Sequence, residues 1–157
     1  MKYQNSIIAF IAIGLLVFLF HSQIFSKDSP VSENFAEIKE TLSPEAYDVM
    51  YRQGTERPFS SPLDTETRKG TYVSADTGLP LFRSENKYDS GTGWPSFTKP
   101  IGGSVLLRED NSLLGKRVEV ISKDTGAHLG HVFDDGPAPL GKRYCMNGVA
   151  LRFILDN

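Results

Sequence analysis

The chain of 157 residues has one cysteine, Cys145, so no intrachain disulfide can form and the disulfide-stapled scaffold class is excluded. It has no basic excess either: 17 Lys and Arg against 19 Asp and Glu leave a net charge of -2. A phosphate backbone or an anionic lipid surface would find nothing to grip, and nucleic acid is not an expected partner. No glycine-rich phosphate loop follows any strand-like run. Histidine is scarce, with three in all, and tryptophan occurs once, as Trp94. With 39% hydrophobic residues the chain can build a single domain on an apolar core alone.

One long hydrophobic run is present. Ile7 to Phe20 is fourteen residues without a charge, and "HSQIF" extends it to Phe25. At about 1.5 Å per residue the longer stretch spans roughly the 30 Å of a hydrocarbon layer. Residues 1–25 therefore read as a signal anchor or a signal peptide, an N-terminal hydrophobic helix in either case. No A-x-A pattern follows Phe20, which favours an uncleaved anchor through residues 6–25 over secretion after cleavage. Lys2 keeps the N-terminus in the cytoplasm, so the rest is expected outside it, periplasmic or exported. Residues 26–41 are polar, mixed in charge and read as a linker.

A domain over 42–157 follows. Ser43 is placed to cap a helix that has Pro44 at its first position and stops at Gly54; Leu42, Tyr47, Met50 and Tyr51 would form its packed face. Beyond it, "TYVS", "LPLF", "GSVLL", "KRVEVIS", "HVF" and "GVALRFIL" alternate with Gly, Pro, Asp and Asn clusters, the pattern of an antiparallel β-domain.

An S-x-D-T-G pattern occurs twice, at Ser74–Gly78 and Ser122–Gly126. Paired Asp-Thr-Gly triplets would suit an aspartic protease, but Asp76 and Asp124 are too close for two lobes and lack a preceding apolar strand. Two tight turns, with Asp bonded to the following backbone and Gly at positive φ, explain the pattern more simply. A pair of metal knuckles without their cysteines is the remaining reading.

The chemistry-bearing residues cluster late. "HLGHVFDDGP" carries His128 and His131; "RYCMNGVALRF" carries Arg143, Cys145 and Asn147. A thiol, two imidazoles and an amide are the parts of an activated thiolate. Arg143, two residues before Cys145, shares its side in an extended segment and is expected to lower the thiol pKa. "KYDSGTGWPSF" places Trp94 in a glycine-rich loop, where an indole face suits a small apolar group or a sulfur.

With these three motifs, in order and at similar spacing, the chain from about Leu42 to Ile154 resembles the methionine sulfoxide reductase B family. The resemblance implies a mainly β fold of two antiparallel sheets with peripheral helices. It implies reduction of methionine-R-sulfoxide, free or in proteins, to methionine. Cys145 would be the nucleophile, with catalytic His131, His128 and Asn147 around the sulfoxide oxygen. Trp94, Phe133, Asp135 and Arg143 would bind or support the substrate. Many relatives resolve the resulting sulfenic acid with a second cysteine in the glycine loop; here that position is Thr92, so an external thiol, thioredoxin-like or other, is required. Many also bind a structural zinc through two CxxC pairs, at places held here by Ser74, Thr77, Ser122 and Thr125. Hydroxyls do not make such a site, so no zinc and no other cofactor is expected. A cysteine hydrolase, an anchored ligand-binding β-module and a redox sensor using the same thiol are the competing readings.

Overall fold

The computed structural model describes residues 42–111 and 115–156. The N-terminal hydrophobic helix and the polar linker lie outside the described residues. Among those described, no helix is long and apolar enough to cross a membrane.

Helix α1 (Pro44–Arg52) starts as its sequence dictates, with Ser43 Oγ accepting the Ala46 N–H at 3.1 Å and Pro44 in the first turn. Its end differs from expectation. Gln53, not Gly54, takes the left-handed conformation at φ 58°, and Gly54 donates its N–H to Asp48 O. The glycine serves close approach instead, since a Cβ there would lie 2.6 Å from Asp48 Oδ2. The packed face also shifts: Ala46, Val49 and Met50 are buried and Tyr47 is exposed. Leu42 and Tyr51 pack at its margin, and Tyr51 is drawn aside by the bond from its hydroxyl to Asp76.

Among the described residues nine strands follow: β1 (Gly70–Ser74), β2 (Pro80–Arg83), β3 (Lys87–Tyr88), β4 (Ser96–Phe97), β5 (Val105–Asp110), β6 (Arg117–Ser122), β7 (His128–Phe133), β8 (Arg143–Met146) and β9 (Leu151–Leu155). They form two antiparallel sheets, a small one in the order β2-β1-β9 and a large one in the order β3-β4-β8-β7-β6-β5. The mainly β, two-sheet expectation holds. Of the peripheral helices, the described residues contain α1 and two short 3-10 turns, at Ser84–Asn86 and Gly148–Ala150. The second turn carries the chain from β8 of the large sheet to β9 of the small one.

Alternation within the strands divides buried from functional residues. Val120, Val132, Met146 and Phe97 turn into the core, where the Phe82 and Phe97 rings stack at 4.4 Å and Tyr72 meets Phe97 edge-on at 4.9 Å. Burial of such rings is the main stabilising term. The opposite face of the large sheet bears a cross-strand row of polar residues: Arg108, Glu119, His131, Cys145, Ser96 and Tyr88, each opposite the next.

Candidate active site

Antiparallel pairing sets His131 on β7 directly opposite Cys145 on β8, and Ser96 on β4 opposite Cys145 on its other side. Directly opposed residues have Cβ atoms about 5 Å apart. The thiol is thus bracketed by an imidazole and a hydroxyl through backbone register alone.

His128 arrives on the same face by an irregularity. A spacing of three along a regular strand would put His128 and His131 on opposite faces. The register slips between Val120, opposite Gly130, and Ile121, opposite His128, leaving Leu129 as an extra residue in β7. This bulge flips the parity, and the two histidine rings lie 5.2 Å apart.

Each histidine has a carboxylate. His128 Nδ1 is 2.7 Å from Glu119 Oε1, both side chains buried, and Arg108 Nε donates to the other oxygen at 2.8 Å. Burial pushes His128 below its usual pKa despite Glu119. Burial also works against ionised Glu119, but the Arg108 and His128 bonds outweigh it and hold the carboxyl below its ordinary range. The pair is therefore a neutral imidazole donating to a carboxylate paired with Arg108. His131 Nε2 is 2.8 Å from Asp110 Oδ2, which also accepts from Arg117 at 2.7 Å.

Cys145, His131, Trp94, Phe133 and Asn147 line one cavity of about 130 Å³, with Thr55, Arg117, Gly130 and Met146 completing its wall. That is below the roughly 300–1,000 Å³ of common small-molecule sites and fits a single side chain. Three expected residues stand back from it. His128 lies behind His131. Arg143 and Asp135 form a two-point ion pair at 2.9 and 2.8 Å, and the Arg143 guanidinium lies over the Phe133 ring at 4.5 Å. Asp135 is exposed, so it acts on the cavity only through Arg143.

The thiol itself departs from expectation. Burial pushes the Cys145 pKa up, and the Arg143 charge with bonds from Thr92, Ser96 and Arg143 reverses only part of that. The resting group is a thiol. Thr92 Oγ1 is 3.9 Å from Sγ, and Ser90 Oγ lies 2.8 Å from both the Thr92 and the Ser96 hydroxyls.

Asn147 lines the cavity with a committed amide. Its Oδ1 accepts the Glu56 N–H at 3.0 Å and its Nδ2 donates to Leu129 O at 3.2 Å. Glu56 was not legible as a site residue, yet it ties the cavity together. Its C=O accepts from Trp94 Nε1 at 3.3 Å, and its buried carboxylate accepts the Gly148 and Val149 N–H groups at 2.5 and 2.9 Å. A buried glutamate in an irregular loop has no periodicity to betray it. Arg117 and Glu119 did have a signal, since charged residues alternate with valine in "RVEVIS", whereas Asp110 ends the unbroken charged run of "LLRED" and had none.

Ser74 and Ser122 end β1 and β6, Thr77 and Thr125 sit in the turns that follow, and what joins the turns is Asp76. Its carboxylate accepts from Tyr51 at 2.7 Å, from Thr125 at 2.9 Å and from Ser74. Thr77 Oγ1 accepts the Leu79 N–H at 3.2 Å. Hydroxyls gathered on one carboxylate are not a zinc ligand set.

Residues 42–155 match the SelR domain family model. The chain is 51% identical over 124 residues to a Methanosarcina barkeri protein named peptide methionine sulfoxide reductase MsrB, covering 78% of this chain and 87% of that one. A Methanosarcina mazei protein of the same name is 53% identical over 119 residues, covering 75% and 85%. A Vibrio cholerae protein named peptide methionine sulfoxide reductase MsrA/MsrB is 51% identical over 119 residues, 75% of this chain and 32% of that one.

Proposed function

The chain belongs to the SelR domain family, and on that basis we propose that it reduces methionine-R-sulfoxide, free or within oxidised proteins, with Cys145 as nucleophile. It is an oxidoreductase acting on a sulfur group. One observation carries the reading: a thiol and an imidazole, opposed across β7 and β8, face a cavity of about 130 Å³ bounded by Trp94.

The substrate methyl group rests on the Trp94 indole, a face suited to soft, weakly polar groups. Cys145 attacks the sulfoxide sulfur as thiolate. The oxygen takes a proton from the His131 side, because a bare oxide is a poor leaving group. Oxygen passes to Cys145, two electrons pass to the substrate sulfur, methionine leaves and Cys145 remains as sulfenic acid. The buried thiol must lose its proton as the substrate arrives, which couples chemistry to binding. Asp110 orients His131, Glu119 orients His128, and Arg143, steadied by Asp135, is the positive charge that most favours the thiolate.

With Cys145 the only cysteine, an external thiol reduces the sulfenic acid, and thioredoxin-like proteins are one source. A hydrolase reading loses ground on Asn147, whose amide is spent on Glu56 and Leu129 backbone and not on a histidine. We place the domain outside the cytoplasm, held by residues 6–25, on the hydrophobic run alone.

The test is turnover of the separated R and S epimers of a blocked methionine sulfoxide by the full chain in detergent, with dithiothreitol, beside Cys145→Ser. Loss of the R epimer only, abolished in the variant, is the expected result. Folded protein that consumes neither epimer would overturn it.

A further inference from the structure

The Gly91–Trp94 loop contributes Trp94 to the cavity and Gly91 to a second hollow of about 560 Å³ that shares no lining residue with the first. Its size falls within the roughly 300–1,000 Å³ of small-molecule sites. Gly91 lines the second hollow, Trp94 lines the cavity, and Thr92 between them has its hydroxyl 3.9 Å from Cys145 Sγ. Tyr88, also in the wall of the hollow, pairs with Ser96, which pairs with Cys145. Its phenol oxygen is buried without a hydrogen-bond partner among the described residues. Burial chiefly raises the Tyr88 pKa, Arg143 opposes this, and the charges of Asp135 and Cys145 add to it, so this one wall residue of the hollow also feels the charge of Cys145.

Phe59 stands at the rim. It is 70% exposed, holds a left-handed φ of 61° and donates its N–H to Gly93 O at 2.7 Å. A Cβ on Gly93 would lie 2.8 Å from its ring, so the ring rests on the glycine. A bulky residue kept in a strained, exposed conformation against the loop that carries Trp94 points to a ligand surface.

Sulfur chemistry says which ligand. The oxygen transferred to Cys145 arrives from the cavity and remains on that side, near His131. Displacement at sulfur runs in line, with the attacking group opposite the leaving oxygen, which here is the Thr92 side. We propose that the hollow bounded by Phe59, Asp64, Glu66, Lys87, Asp89 and Gly91 is the docking site of the low-molecular-weight thiol that regenerates Cys145. The proposal rests on the sulfenic acid reading. A thiol R–SH forms an S–S bond to Cys145 as the S–O bond breaks and water leaves; a second R–SH then releases R–S–S–R and restores the Cys145 thiol. Charge selects among thiols. The Lys87 ammonium donates to Asp64 O at 2.6 Å and lies in the field of Asp64, Asp89 and Glu66, the last paired with Arg68; three carboxylates against one ammonium in the lining favour cationic over anionic thiols.

The two half-reactions are separable. A single turnover without thiol measures methionine formation; adding cysteamine, 2-mercaptoethanol or 3-mercaptopropionate to the sulfenic acid form measures regeneration, each rate corrected for thiolate fraction. The expected order is cysteamine, mercaptoethanol, mercaptopropionate, with about fivefold or more between the extremes. Thr67 lines the hollow, is exposed and is remote from the cavity; Thr67→Tyr should slow regeneration about tenfold relative to the single turnover. Asp64→Lys should invert the charge order. Regeneration unaltered by both substitutions would mean that the thiol enters through the cavity, and equal slowing of both steps would assign the hollow to the substrate chain; either overturns the proposal. Absence of a single turnover in the unaltered chain would instead count against the reductase reading.

Discussion

Cys145 is held in conflict, its thiol pushed up by burial and pulled down mainly by Arg143. Its reactivity toward iodoacetamide should therefore keep rising above the ordinary cysteine midpoint of about 8.5. Arg143→Ala removes the largest lowering influence, so the profile should move further alkaline, each unit cutting the thiolate at neutral pH about tenfold. Alkylation rates across pH for both chains check this, and a plateau below the ordinary midpoint in the unaltered chain would contradict it. Glu56 offers a cleaner reading of position, because Trp94 is the only tryptophan and its indole N–H is held by Glu56 C=O. Glu56→Gln sets an amide NH₂ against a backbone N–H, a loss of about 1–3 kcal/mol. The folded variant should show altered Trp94 emission and a raised KM, with Cys145 alkylation little changed. Unaltered emission and KM would reduce Glu56 to a structural role.

Gly130 shows how a strand element shapes the site. It lies at the bulge of β7, opposite Met146, and a Cβ there would sit 2.1 Å from Cys145 O and 2.9 Å from Met146 Cα. The backbones of β7 and β8 cannot separate without breaking the pairing that sets His131 against Cys145. Gly130→Ala should thus cost about 3 kcal/mol or more and lower activity together with the urea midpoint; full activity at full stability would mean that β8 can yield. The same bulge marks where the sequence stops being readable. The strands with clear apolar alternation, such as "KRVEVIS", were legible, as were Cys145, Trp94 and His131, which come with motifs. "RYCM" reads as polar because β8 shows Arg143 and Cys145 to the site and only Met146 fully to the core. The common face of His128 and His131 depends on one slipped residue, for which nothing in the local sequence is diagnostic. Tyr47 misled for a different reason: helical spacing groups it with Met50 and Tyr51, whereas tertiary packing selects Ala46 and Val49.

Asp76 joins parts of the molecule that are distant in the chain. The β1–β2 turn belongs to the small sheet, the β6–β7 turn to the large one, and Tyr51 to α1; one carboxylate, 1% exposed, receives hydroxyls from all three. Removing the acceptor strands three donors, so Asp76→Ala should cost about 2–4 kcal/mol, read as a lower urea midpoint. We infer that this contact, and not a metal, joins the two turns; the domain should keep its midpoint in chelator and carry no stoichiometric zinc by elemental analysis. Bound zinc, or a chelator-sensitive midpoint, would refute that. The contact also sets an alkaline limit. Burial first, then the bond and charge of Asp76, raise the Tyr51 pKa well above its usual value. A raised folded pKa gives stability that is complete below the unfolded value of about 10 and lost as pH climbs beyond it. Tyr72, raised mainly by burial, adds to the same loss. Urea midpoints should therefore fall above about pH 10, and Asp76→Asn, by removing the negative charge beside Tyr51, should be less stable at neutral pH but fall less steeply. Parallel curves for the two chains would mean that Tyr51 and Asp76 are not coupled.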